Sequence, residues 1–257
     1  METKKDKEFD AGERLYIGKT IAEESAVNEH FERYEFAKKY LKPDFVVLDA
    51  ACGTGYGSDI LSKSVKKVIG VEISSHALSW AKDHYKNPNL EFKKGDLSRP
   101  LDFPDSHFDA IISFETLEHV ENQKNMLGEF GRILKPGGIL VISSPDKDII
   151  TGKGESDNKF HIKELTKKEF IKLMNDYFNV KEIFGQSKYV ELPIYKKIIK
   201  GLSKIDIFKI RRVVFKILGL TIFVHKNFTP IERSSIEKTD FDSQNNFYVL
   251  IMICEKI

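Results

Sequence analysis

The stretch Val46-Val47-Leu48-Asp49-Ala50-Ala51-Cys52-Gly53-Thr54-Gly55-Tyr56-Gly57 constrains this chain more than any other. Val46 to Leu48 are apolar, follow Pro43 and read as a short buried strand. Three glycines then stand at alternate positions, and Ser58-Asp59-Ile60-Leu61 begins a helix. Strand, glycine turn and helix N-terminus together make a nucleotide-binding corner. Glycine permits positive φ and close approach of a ligand to the backbone, and the helix start presents unpaired N–H groups.

Two ligand classes use such a corner. A dinucleotide site needs G-x-G-x-x-G, with a pyrophosphate on the helix N-terminus. Here Gly53 and Gly55 fit, but Ser58 stands in the third position and an acid, Asp49, closes the strand. That acid disfavours a pyrophosphate and suits a ligand carrying an ammonium or sulfonium group. A second buried strand, Lys67 to Glu72, also ends in an acid, and a carboxylate there accepts both hydroxyls of a ribose.

Composition sets wide bounds. A chain of 257 residues can bury a large α/β core without staples. Net charge is +2, which implies no polyanion partner, so no nucleic acid is expected. The two cysteines, Cys52 and Cys254, give neither a disulfide framework nor metal-ligand spacing, and no metal is expected. The first ten residues are charged and lack the apolar core of a signal peptide, and no apolar run reaches 18 residues. A reducing cytoplasm is the default compartment.

The remaining elements follow in order. A helix is expected from Val27 to Leu41, with His30 and Arg33 on its more polar side as a solvated face, although Arg33 is within reach of a cofactor carboxylate. Ahead of it, Gly12 to Gly18 is a frayed arm or a flap that closes through Arg14 or Tyr16. Ser74 caps a helix to about Tyr85, Leu90 to Lys94 is strand three, and Ala110 to Ser113 is strand four. Phe114-Glu115-Thr116-Leu117-Glu118-His119 then lies at a strand's carboxyl end, where open α/β sheets bind ligands. If that stretch is a helical turn, Glu115 and His119 share one face. A helix to about Leu134 and Lys135-Pro136-Gly137-Gly138 lead into strand five, Ile139 to Ser144. A long polar loop, 145–163, precedes a helix with Thr166 and Glu169 placed as a capping box. Residues 178–185 are strand six and Phe247 to Cys254 the last strand.

Motif I here, V-L-D-A-A-C-G-T-G, together with F-D at Phe108-Asp109 and L-K-P-G-G at 134–138, resembles the class I S-adenosylmethionine (SAM) methyltransferases. The chain departs once, with Ala51 where glycine is usual, so slight tightening of the turn is expected. The resemblance implies a Rossmann-like, doubly wound α/β sheet of seven strands, mostly parallel with the last antiparallel. It also implies SAM as cofactor, with Asp49, Ala51, Gly53, Gly55, Tyr56, Glu72, Ile73, Asp96, Leu97 and Phe114 around it, and Tyr16 and Arg33 as additions from the N-terminal segment. Asp96 would bond the adenine amino group and Leu97 would flank the ring. The chain divides into an N-terminal arm and helix (1–44), a SAM-binding core (45–185 and 246–257) and a helical basic insertion (186–245).

Methyl transfer to a hydroxyl needs a base, and neutral imidazole suits that near pH 7. Of seven histidines, His119 and His161 are expected near the carboxyl edge, with Glu115 beside them as the catalytic set. The stretch F-H-x-x-E-L-T, from Phe160, resembles a bacterial sugar- and glycan-modifying subgroup. A small-molecule acceptor is expected, a sugar or nucleotide-linked sugar first. A lipid or quinone at a membrane surface is the alternative, because residues 188–226 hold ten Lys or Arg against two acids and could contact a membrane or a phosphate. A nicotinamide-dependent dehydrogenase and a non-catalytic SAM-binding module stay open, as does the oligomeric state.

Overall fold

The structure, a computed structural model, describes residues 14, 16, 24–150, 158–189, 222–224, 230–232, 236–241 and 247–257. Helix α1 (Glu24–Ala37) passes through a 3-10 turn (Lys38–Tyr40) to β1 (Val46–Ala50), α2 (Tyr56–Ser62), β2 (Lys67–Glu72), α3 (Ser75–His84), β3 (Leu90–Lys94) and β4 (Phe108–Ser113). A 3-10 turn (Leu117–His119), α4 (Gln123–Ile133), β5 (Leu134–Pro145) and α5 (Lys147–Ile150) follow. Then come α6 (Lys167–Asn175), β6 (Phe178–Tyr189), β7 (Ile222–Val224), β8 (Pro230–Glu232), β9 (Glu237–Thr239) and β10 (Phe247–Lys256).

One sheet runs in the order β3-β2-β1-β4-β5-β10-β6-β8-β7, with β9 paired to β6. Strands β3, β2, β1, β4 and β5 are mutually parallel, while β10 lies antiparallel between β5 and β6. Alternation explains why the strands are almost wholly apolar. Leu48, Ile69, Ile111, Leu140 and Leu250 join one core with Met126, Phe130, Phe170 and Met174 of α4 and α6. Their neighbours Val47, Val68, Ile112, Val141 and Val249 join a second core with Tyr34 and Ala37 of α1 and with Ile60 and Leu61 of α2. A strand buried on both faces needs apolar residues at every position, as in parallel sheets covered by helices.

Local signals also hold. Ser74 Oγ accepts the Ala77 N–H, and Thr166 with Glu169 forms a complete capping box. The expected α/β sheet with a reversed last strand is present, with three short strands added beyond the seven. β6 runs on to Tyr189, and residues 222–224, 230–232 and 237–239 are strands, where helix was expected for the insertion. Of these, 230–232 and 237–239 pair with β6 and 222–224 pairs with β8; the helical spacing at Ile194, Ile198, Leu202 and Ile205 lies outside the described residues. The basic part of the insertion between 190 and 221 lies outside the described residues. No helix of the described residues is long and apolar enough to cross a membrane.

Candidate active site

The carboxyl ends of β1 to β5 open into one cavity of about 1380 Å³. Its first wall is the turn after β1. Ala51, Gly53 and Gly55 all take positive φ, at 62°, 54° and 87°, so the departure at Ala51 places a Cβ in the left-handed region. Gly57 is required by space, since a Cβ there would run into the Tyr34 ring. That ring matters because Tyr34 Oη donates to Asp49 Oδ1 at 3.1 Å, while Ser58 Oγ donates to Oδ2 at 2.6 Å. Ser58, in the sequence only a misfit to a dinucleotide motif, is thus a fully buried anchor for the strand-end acid. Burial outweighs both hydrogen bonds and pushes the Asp49 carboxyl up to about 7. Asp49 therefore sits beneath the cavity, not on its wall.

Glu72 forms the next wall and is only 3% exposed. It accepts Gly53 N–H at 3.0 Å and Ser74 N–H at 2.8 Å, and Arg14 Nη2 reaches its Oε1 at 2.6 Å. The two backbone bonds fix the carboxylate across the glycine turn; Oε1 also carries the Arg14 bond, and Oε2 retains a lone pair for a further donor. Beside it Ile73 is 54% exposed, an apolar side chain on the rim of a polar site. Asp96 is held by the Ser98 N–H and hydroxyl at 2.9 and 2.6 Å, with Leu97 buried next to it.

The helix α1 closes one side. Arg33 is 3% exposed, its Nη1 lies 3.8 Å from Glu115 Oε1, and its Nε has no hydrogen-bond partner among the described residues. His30 also faces the cavity and meets Tyr56 Oη at 3.2 Å; burial, and then the Arg33 charge, hold its pKa well below the usual imidazole value. The face expected to be solvated is therefore a cavity wall. The aromatic rings of Tyr34, Tyr56 and Phe114 turn that face inward, with centroids 5.1 to 5.6 Å apart.

The far end belongs to the segment after β4 and to residues 158–164. Glu115 has φ 47° and bonds Ser143 through both its N–H and its carboxylate. The turn behind it is 3-10, so the expected pairing of Glu115 with His119 on one α-helical face does not form. Glu118 takes that place. It is 1% exposed, accepts Ser144 Oγ at 3.1 Å and lies 3.9 Å from His119 Nε2. Burial, and then the Glu115 charge, raise its pKa well above the usual carboxylate range. Its carbonyl accepts the N–H groups of Ile162 and Lys163, which brings His161 against His119 with ring centroids 4.9 Å apart.

Of the residues picked out in the sequence, His119, His161, Glu115, Ala51, Gly53, Tyr56, Glu72, Ile73, Asp96, Leu97, Phe114 and Arg33 share this cavity. Asp49 and Gly55 lie behind it, and Tyr16 packs outside it on His76 and Trp80. Sequence reasoning passed over Tyr34, Ser58 and Glu118. Only Glu118 carried a signal, its place between Glu115 and His119 at the end of a strand.

A strand-end acid pair astride a glycine turn, on a sheet whose last strand is reversed, defines the class I SAM-dependent methyltransferase fold. Residues 48–142 match the family model for a methyltransferase domain. A Mycolicibacterium smegmatis chain named "Probable S-adenosylmethionine-dependent methyltransferase" is 31% identical over 179 residues, 68% of this chain and 66% of that one. A like-named chain of Mycobacterium tuberculosis is 30% identical over 162 residues, 62% of this chain and 58% of its own length. This chain thus spans about three fifths of these relatives. A sterol 24-C-methyltransferase of Schizosaccharomyces pombe is 30% identical over 134 residues, 50% of this chain and 34% of that one. Among solved structures, the methyltransferase bound to the Haloferax volcanii Trm112 activator has TM-score 0.60 at 17% identity, covering 89% of this chain and 91% of its own. The [4+2]-cyclase SpnF has TM-score 0.56 at 14% identity, covering 88% and 81%. The chain belongs to the class I SAM-dependent methyltransferases, whose cofactor is S-adenosylmethionine.

Proposed function

We propose that this chain transfers a methyl group from SAM to a hydroxyl of a small polar acceptor, of the sugar or nucleotide-linked sugar class. The observation that carries this reading is the single cavity joining Glu72, Ile73 and Asp96 at one end to Glu118, His119 and His161 at the other. A site for one small molecule takes roughly 300–1000 Å³, so about 1380 Å³ leaves room for donor and acceptor together. Two features fit the cofactor itself: the exposed Ile73 on the rim, and the buried Arg33, whose Nε is unpaired among the described residues.

Glu72 would hold the ribose hydroxyls, Asp96 and Leu97 the adenine, Ile73 one ring face and Arg33 the carboxylate. Bound there, SAM supplies an electrophilic methyl group on a sulfonium. The rest falls to this chain. Positioning both reactants in line within one cavity is worth roughly 7–11 kcal/mol. His119 Nδ1–H donates to the Phe160 carbonyl at 3.0 Å, which fixes the tautomer and leaves Nε2 as the basic nitrogen. His161 Nδ1 lies 2.5 Å from Glu164 Oε1, which fixes that ring in the same sense. Either Nε2 is suited to take the hydroxyl proton. Asn158, Lys159 and Glu115 beside them favour a hydroxylated acceptor over a sterol.

Fold alone does not decide the reaction, since a cyclase shares it. The test is S-adenosylhomocysteine production across sugars, nucleotide sugars, amines and quinone precursors. Turnover with a sugar-type acceptor is expected. Tight SAM binding with no turnover on any acceptor would sink the proposal.

A further inference from the structure

We propose that Glu118, His119 and His161 form a divalent-cation site at the acceptor end of the cavity. Their ligand atoms all lie within 4.8 Å of one another. Three ligands on one ion at about 2.1 Å stand about 3 to 4 Å apart, so small side-chain shifts complete the set.

Three observations separate this cluster from a chance grouping. First, both imidazoles are held the way metal-bound imidazoles are, with Nδ1 engaged by an oxygen, and His119 Nε2 lies 3.9 Å from Glu118 Oε1. The partners are the Phe160 carbonyl at 3.0 Å and the Glu164 carboxylate at 2.5 Å. Metal-ligating histidines almost always donate their other N–H to such a carbonyl or carboxylate. Second, the two segments are tied together before any ion arrives. The Glu118 carbonyl takes the Ile162 and Lys163 N–H groups at 2.8 and 3.1 Å, and Gln123 Nε2 bridges the Leu117 and Lys163 carbonyls at 2.9 Å each. Third, Glu118 is buried, yet among the described residues no Lys or Arg nitrogen comes within 4.0 Å of its carboxylate. A buried carboxylate is ordinarily paired or coordinates a metal. Ser144 orients one oxygen and leaves the other facing His119.

Two imidazoles and one carboxylate select a borderline ion such as Zn²⁺, Mn²⁺, Fe²⁺ or Co²⁺ over Mg²⁺, which prefers oxygen ligands. Three protein ligands leave positions for one or two acceptor oxygens, so a vicinal diol is the substrate class that the site would take. That role rests on the methyl-transfer reading; cation binding itself does not. With an ion bound, the imidazoles would act as ligands, and the ion, rather than a free Nε2, would acidify the hydroxyl.

The experiment uses the whole chain stripped with chelator and titrated with Co²⁺ or Mn²⁺ alone, followed by visible absorption and electron paramagnetic resonance. One ion per chain is expected, with affinity falling at least about 10-fold in His161→Ala and in Glu118→Gln. SAM affinity measured alongside should stay within about twofold, and thermal melts confirm that each variant folds. No stoichiometric binding by the wild-type chain would overturn the site. So would binding that survives both substitutions. Either result leaves SAM binding, and with it the proposed transfer, to be judged separately.

Discussion

The two ends of the cavity are built in different ways. At the cofactor end, Glu72 is held by backbone N–H groups of Gly53 and Ser74, and apart from Arg14 and Arg33 the contributing residues lie near strand carboxyl termini. At the acceptor end, groups from 115–119 and 158–164 meet through side-chain bonds and one doubly used carbonyl. The first is a backbone device that tolerates many side chains. The second depends on particular ones, so under the proposed reading the donor end would suit a whole family and the acceptor end one substrate class.

Mutations should separate the two ends cleanly. The largest effect is expected at the acceptor end. His119→Ala or His161→Ala should lower kcat by about 10²–10⁴-fold with SAM affinity unchanged, measured by steady-state kinetics and calorimetry. If both variants instead weaken SAM binding and spare kcat, the ends have been assigned the wrong way round.

At the cofactor end the effect should be on binding. Glu72→Ala removes a buried acceptor of two backbone N–H groups and any ribose bond. We expect SAM affinity to fall by about 1–3 kcal/mol, with kcat largely recovered at saturating cofactor. Unchanged affinity would remove Glu72 from the site.

The same contrast explains what was legible beforehand. The sheet and the donor end are written in local patterns: apolar strands, alternate glycines, an acid at each strand end, and a Thr166–Glu169 cap. Each is a short-range consequence of backbone geometry and can be read without knowing the rest of the fold. The inward face of α1 was not legible, because the rings that pack on Tyr34 of that helix, Tyr56 of α2 and Phe114 just after β4, are distant in sequence. Glu118 was missed for the same reason. Its neighbour His161 is 43 residues away in sequence, and only the loop bonds to its carbonyl bring them together. The short strands at 230–232 and 237–239 carry no signal of their own in the sequence, because three residues pairing on the edge of β6 are too few to show an alternating pattern.

Asp49 offers a smaller test that bears on the donor end. Its carboxyl holds its proton to about 7 in the fold but releases it near 3.8 when unfolded. The stability it contributes is therefore present below about pH 4 and is lost as pH rises through 7. A cation entering the cavity above it favours the carboxylate, so binding below pH 7 must expel that proton. SAM affinity should then rise with pH, by at most about tenfold per unit below 7, and the rise should vanish in Asp49→Asn. A flat wild-type profile would place the cofactor's positive charge away from the β1 end of the cavity.

The smallest effect belongs to Ala51, and it asks how much side-chain identity the backbone device tolerates. At φ 62° an L-residue bears about 1–2 kcal/mol of left-handed strain. Ala51→Gly relieves that but gives the unfolded chain more freedom, worth about 0.4–1 kcal/mol in the opposite sense. The net should be a gain of under about 1 kcal/mol in denaturant unfolding, with SAM affinity unchanged. A clear loss of affinity would mean that the Ala51 methyl itself touches the cofactor, and the donor end would then be as substrate-particular as the acceptor end.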